Sequence, residues 1–187
     1  MIDKSLGFLV ARLNRHLSAR FPADGPLVRL DDLPSAHDAG AEEKTNNLLL
    51  TLVNIEQQRQ SLNVVQKPSP QGFTIGQAPL DLHLYVLLSA NFPDTYDEGL
   101  RLLSAALSFL QANPVFHAEN APDMPDGLIR LSTEMCSLDL QSLTNLWSNF
   151  GGRHLPSAFY KLRIVRLEEE VALPETPPIT KLDVDLS

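Results

Sequence analysis

Apolar residues recur along this chain with two different periods, and each change of period marks an element boundary. Ile2, Leu6, Leu9, Leu13 and Leu17 are spaced by four, three, four and four, which lines one face of a helix. Phe21-Pro22 ends it, because proline disfavours the helical conformation in the residue before it. Leu27–Leu30 reads as a short extended piece. Asp31–Lys44 is polar, broken by Pro34 and Gly40, and reads as a loop. Asn47–Gln58 predicts a strand with Leu48, Leu50 and Leu52 on one face and Leu49, Val53 and Ile55 on the other. Apolar residues on both faces predict a central strand covered on both sides.

Residues 66–79 hold Pro68, Pro70, Gly72, Gly76 and Pro79 and read as a loop too broken to pair regularly, closing a hairpin onto the next strand. In that strand, Leu80–Ser89, the residues Leu80, Leu82, Leu84, Val86 and Leu88 alternate with Asp81, His83 and Tyr85, so one face is well buried. Asp94–Ala112 gives the clearest helix. Thr95 and Glu98 have the spacing of a capping box, Tyr96, Leu100, Leu103, Leu107 and Leu110 follow at helical intervals, and Asn113-Pro114 stops it. Leu128–Leu138 predicts another strand. Asp139 then caps a helix carrying Leu140, Leu143, Trp147 and Phe150, closed by Gly151-Gly152. Ser157–Leu167 is the last predicted strand. Strands joined through helices and one hairpin predict an α/β (α+β) fold: one mixed sheet of four to five strands flanked by about three helices. We read 1–170 as one domain and 171–187, with its three prolines, as an extended acidic tail.

Composition narrows the function. A chain of 187 residues with 43% hydrophobic and 20% charged residues is an ordinary globular domain that needs no disulfide or metal to hold its core. Fifteen Lys and Arg against 23 Asp and Glu give a net charge of −8, the wrong balance for a protein whose main task is to grip phosphate backbones. Cys136 is the only cysteine, which rules out an internal disulfide, and its apolar neighbourhood predicts a small buried thiol. There is no 18-residue apolar span, and the start lacks the basic-then-apolar order of a secretory signal, so synthesis in the cytoplasm and no membrane partner are expected.

Signatures of catalysis are missing. No phosphate loop, GxGxxG turn or GxSxG elbow occurs, and His16, His37, His83, His117 and His154 never stand at metal-binding spacing, so no cofactor or metal is expected. Asp81 and His83 share a strand face and could orient a general base, yet two polar residues on a solvated face are the commoner arrangement. The carboxylates Asp94, Asp97 and Glu98 oppose a helix dipole, and Asp123 and Asp126 sit in a turn. The end of the chain is more informative. Arg153, Lys161, Arg163 and Arg166 make 153–166 basic, whereas 168–187 carries six acids against Lys181. Within that tail, Thr180, Leu182, Val184 and Leu186 alternate with Lys181, Asp183 and Asp185, the pattern of a strand laid along a neighbour. Phe73 and Ile75, apolar in a polar loop, are further candidate anchors for a partner.

Several stretches, in this order and spacing, resemble one family: Asn46–Glu56, Leu84–Phe92, Leu107–Phe116, Pro125–Leu128, Leu138–Trp147 and Leu155–Lys161. Across roughly residues 1–168 they are similar to the tube-terminating cap proteins of extracellular contractile injection systems, of the virulence-cassette and anti-feeding-prophage type. The resemblance implies a fold like that of phage tail terminators and a hexameric ring seated on the last tube ring and touching the last sheath ring. It implies no enzymatic activity and no specific nucleic-acid partner. A head–tail connector or tail-completion ring is the alternative within the same structural class.

Overall fold

The structure, a computed structural model, describes residues 2–33, 46–57, 65–69, 72–76, 80–150 and 154–166, and only the backbone of 65–69, 72–76, Leu80 and Arg166. The first apolar stripe forms helix α1 (Ile2–Ser18), with Leu6, Leu9, Leu13 and Leu17 buried together with Phe8. Asn14 on this helix fixes the next element. Its Nδ2 donates to the carbonyl of Val28 at 2.8 Å, and its Oδ1 accepts from the amides of Leu27 and Val28 at 2.8 and 2.9 Å. A side-chain amide thus stands in for a neighbouring strand, and β1 (Val28–Leu30) lies parallel to β2 (Asn47–Gln57).

The main sheet has six strands in the order β1-β2-β5-β8-β7-β6, where β5 is Leu80–Asn91, β6 Val115–His117, β7 Leu128–Cys136 and β8 Ser157–Arg166. Every pair but β1–β2 is antiparallel, so the sheet is mixed, as expected, with one or two more strands than the sequence predicts. We call the end where β2 begins and β5 finishes the upper end. Helices α1 and α2 (Tyr96–Ala112) cover one face. Leu48, Leu50, Leu84, Val86, Leu88, Leu131, Leu162 and Ile164 meet Leu9, Leu13, Leu17, Leu102, Leu103 and Ala106 there. On the opposite face α3 (Leu140–Asn149) buries Trp147 against Leu33, Leu49, Leu87 and Leu155. β2 is therefore covered on both sides, but only from Asn47 to Thr51; from Asn54 onward it is exposed.

Four sequence readings are corrected. Residues 65–76 do pair: β3 (Val65–Ser69) and β4 (Gly72–Gly76) form a separate two-stranded ribbon with Pro68 opposite Phe73. Both strands of a ribbon are edges, and an edge tolerates a proline that a central strand would not. Thr95 makes no side-chain capping bond, so the capping box is absent. The apolar stripe of α2 is also rotated. Gly99, Leu102, Leu103, Ala106, Phe109 and Leu110 are buried, whereas Tyr96 is 62% exposed. Cys136 is only partly buried, because the upper end of β7 has no described neighbour on its outer side. By contrast, Asp139 caps α3 as predicted, accepting from the Ser142 amide at 2.7 Å, a bond that holds its carboxyl below the usual carboxylate range. Leu140, at the start of that helix, is 80% exposed.

Gly99 explains the rotation of α2. A Cβ there would lie 2.9 Å from the Phe92 ring, so glycine lets the helix settle onto a buried aromatic. Alanine is a better helix former by about 1 kcal/mol, but overpacking costs about 1–3 kcal/mol. Gly99→Ala is therefore expected to lower the urea midpoint, corresponding to a net loss of up to about 2 kcal/mol.

Candidate interaction face

Among the described residues, α3 covers only the upper part of its side of the sheet. Below α3 the outward residues form cross-strand rows set by register: Asn54, Tyr85, Lys161 and Glu134 in one, Glu56, His83, Arg163 and Ser132 in the next, then Asp81, Val165 and Arg130. No described helix lies over these rows, and each row mixes charges or hydrogen-bonding groups of both kinds.

Two of the four contacts on this face link one row to the next. Arg163 Nη2 reaches Asp81 Oδ2 at 2.8 Å, with the aspartate side chain 1% exposed and the arginine 43% exposed. A buried anion thus holds a half-exposed guanidinium in place, so little of its rotamer freedom remains to be lost when a partner docks. The Tyr85 hydroxyl donates to Glu56 Oε2 at 2.9 Å, and this bond to a carboxylate, with burial adding to it, pushes the phenol above its ordinary pKa. The Tyr85 ring stacks on Phe159 at 5.9 Å, which anchors the row to the edge of the α3 core. Lys161 lies 3.9 Å from Glu134.

Folding changes the electrostatic picture. The segment 153–166 is basic in sequence, but the described cations Lys161 and Arg163 are each met by an acid from a neighbouring strand. The face is a balanced mosaic rather than a basic patch. Tyr85, Glu56 and Glu134 escaped the sequence reading because their pairing depends on strand register, which a single sequence does not display.

Of the predicted interface residues, the structure brings Lys161 and Arg163 together on this face. Arg166 is on the same strand, at its lower end opposite Leu80 and Leu128. Phe73 and Ile75 lie apart, on the ribbon, opposite Pro68 and Gln66. Arg153, Leu182 and Val184 lie outside the described residues. Asp81 and His83 do share a strand face, but the Asp81 carboxylate engages Arg163. A cleft of about 340 Å³ between residues 23–29 and Asn46–Asn47 has Asp24 and Arg29 as its titratable lining and no nucleophile beside a base. Among the described residues no group of three or more His, Cys, Asp or Glu could hold a metal ion, and no helix is long and apolar enough to cross a membrane.

The family model of the Pvc16 N-terminal domain matches residues 7–181 of this chain. No curated protein sequence matches it. Among solved structures, the fold is similar to the sheath/tube terminator of PVC, an extracellular contractile injection system, in its extended state. That likeness has a TM-score of 0.59 at 19% identity, over 100% of this chain and 65% of the other. The tube-terminating cap of the anti-feeding prophage gives a TM-score of 0.55 at 16% identity, over 93% of this chain and 58% of that one. The chain thus spans less than two thirds of the length of either, and at these identities the likeness is one of fold.

Proposed function

Because the chain belongs to the Pvc16 N-terminal domain family, we propose that it is a structural cap subunit. It ends the inner tube of a contractile injection particle and touches the last sheath ring. The observation that carries this reading is the coverage: all of this chain has a counterpart in a protein that terminates tube and sheath.

The physics of the role asks little of chemistry and much of surfaces. A ring closes when each copy presents two different, complementary patches to its neighbours. Growth of a tube stops when the ring matches the tube end on one side and offers no equivalent surface on the other. No bond is made or broken, so the unit is not an enzyme and needs no cofactor. We assign it six copies per ring, residues 1–170 as the ring-forming domain and 171–187 as an appended tail. The open face with Lys161 and Arg163 is the contact surface best supported by geometry, since a held arginine is the kind of residue that dominates interface energies. Phe73, Ile75, Arg153, Arg166, Leu182 and Val184 are assigned as additional partner contacts. The subunit is made in the cytoplasm and leaves the cell, if at all, as part of the particle.

The test is particle length. Particles from a strain without this gene are expected to carry tubes that are longer and more variable in electron micrographs. Tubes of unchanged length with an unchanged end would overturn the reading.

A further inference from the structure

We propose that His16 is an acid-sensitive joint between α1 and α2: protonating its imidazole loosens the end of α1 and, with it, the hold on β1. The proposal concerns the single chain and stands apart from the ring reading above.

His16 lies in the last turn of α1, and its half-buried ring is tilted over Phe109 of α2 at 4.6 Å between centroids. Phe109 is itself buried and stands 6.4 Å from Phe116, so the imidazole rests on the aromatic part of the main core. A neutral ring suits that seat. A charged one is partly stripped of water and calls for an acid beside it.

The surroundings supply cations instead. From Ser5 to Phe21 the chain has no acid, whereas Arg12 and Arg15 stand four and one residues before His16, and Arg20 four after it. Asp123, the carboxylate that meets this stretch of α1, is already divided: Arg12 reaches one oxygen at 3.2 Å and Arg15 the other at 3.1 Å. After Arg101, α2 carries no titratable side chain. Beside β6, His117 lies 4.0 Å from Glu119, and at β1 Arg29 pairs with Asp31 at 3.4 Å. The other charged groups on these elements are Asp24 in the loop after Arg20, Asp126 in the turn before β7, and Asp3 and Lys4 at the far end of α1. The carbonyl end of a helix and an aromatic face both favour a cation, but Arg15 already stands in that last turn. Burial first, and then the charge of Arg20, hold the imidazole below its ordinary value of 6.5.

The direction of the pH effect follows. A base held down in the folded state takes up its proton more readily once unfolded. The stability that depends on a neutral His16 is therefore complete above 6.5 and is lost as the pH falls below it. The loss has a definite address. Asn14, two residues earlier on α1, accepts from the amides of Leu27 and Val28. An α1 end that lifts from Phe109 pulls on those two bonds, whereas β5 and β8 in the middle of the sheet are held by each other. Mild acid thus acts on one edge of the fold.

The test is an NMR titration of the full-length chain with isotope-labelled histidine, in which the His16 signal is the one lost in His16→Gln. It is expected to titrate below 6.5, and to titrate higher in Arg20→Gln, which removes the neighbouring cation and leaves the ring in place. From about pH 7.5 to about 5.5 the folding constant of the parent should fall more than that of His16→Gln, by up to about tenfold. Over the same range, hydrogen-exchange protection at Leu27 and Val28 should drop in the parent and hold in the variant. A His16 titration at or above 6.5, or equal falls in parent and variant, overturns the proposal. Protection lost equally from β5 and β8 overturns it too. If His16→Gln does not fold, Arg20→Gln decides: a His16 titration that stays where it was sinks the idea.

Discussion

Arg163→Ala is expected to lower the free energy of unfolding by about 2–3 kcal/mol, more than its half-exposed position would suggest. Its partner Asp81, near the lower end of β5, has almost no solvent contact. Removing the guanidinium leaves that carboxylate without this counter-charge in a place where water cannot substitute for it. The double variant Asp81→Leu with Arg163→Leu should restore most of the loss, to within about 1 kcal/mol of the parent, because removing both charges also removes the cost of burying them. Urea titration followed by circular dichroism measures both. An unchanged midpoint for Arg163→Ala would mean the bridge adds nothing to stability.

Phe116→Ala should cost still more, about 3–5 kcal/mol, the range for deleting a buried phenylalanine. Its ring is 1% exposed, packs edge-to-face on Phe8 at 5.6 Å and lies 6.4 Å from Phe109. The Arg12 guanidinium stands 5.8 Å from its centre. It therefore joins α1, α2 and the sheet at one point, and a cavity there has walls on three elements that cannot all collapse inward. Thermal unfolding is the readout. A loss below about 1 kcal/mol would show that the three elements close over the gap.

Phe116 also shows where sequence reasoning stops. It sits on a strand of three residues between Pro114 and a turn, too short to display a period, so the residue was visible only as part of a resemblance and not as core. The long elements were legible because each repeats its signal: α1 through five spaced apolar residues, β5 through five alternating ones, α3 through the Asp139 cap. The face of α2 was misjudged because Tyr96 and Leu100 match the helical period as well as the buried set does. What decides between them is the Phe92 ring beneath Gly99, a contact from outside the helix. The interaction face was half legible. Lys161 and Arg163 stood out as a basic run, but their acids are supplied by β5 and β7, and no local pattern announces which strands will be neighbours.

The order of the sheet also bears on how the molecule is made. β8, the last described strand to leave the ribosome, lies between β5 and β7, with pairing along both its sides. Until residues 157–166 emerge, the two halves of the sheet have no bridge, and each shows a long open flank to the cell. Synthesis therefore leaves the flank of β5 unpaired from the time residue 91 emerges until residue 166 does, a sticky, half-built condition. A stop codon just before Ser157 would yield not a smaller domain but two fragments of one, prone to clump.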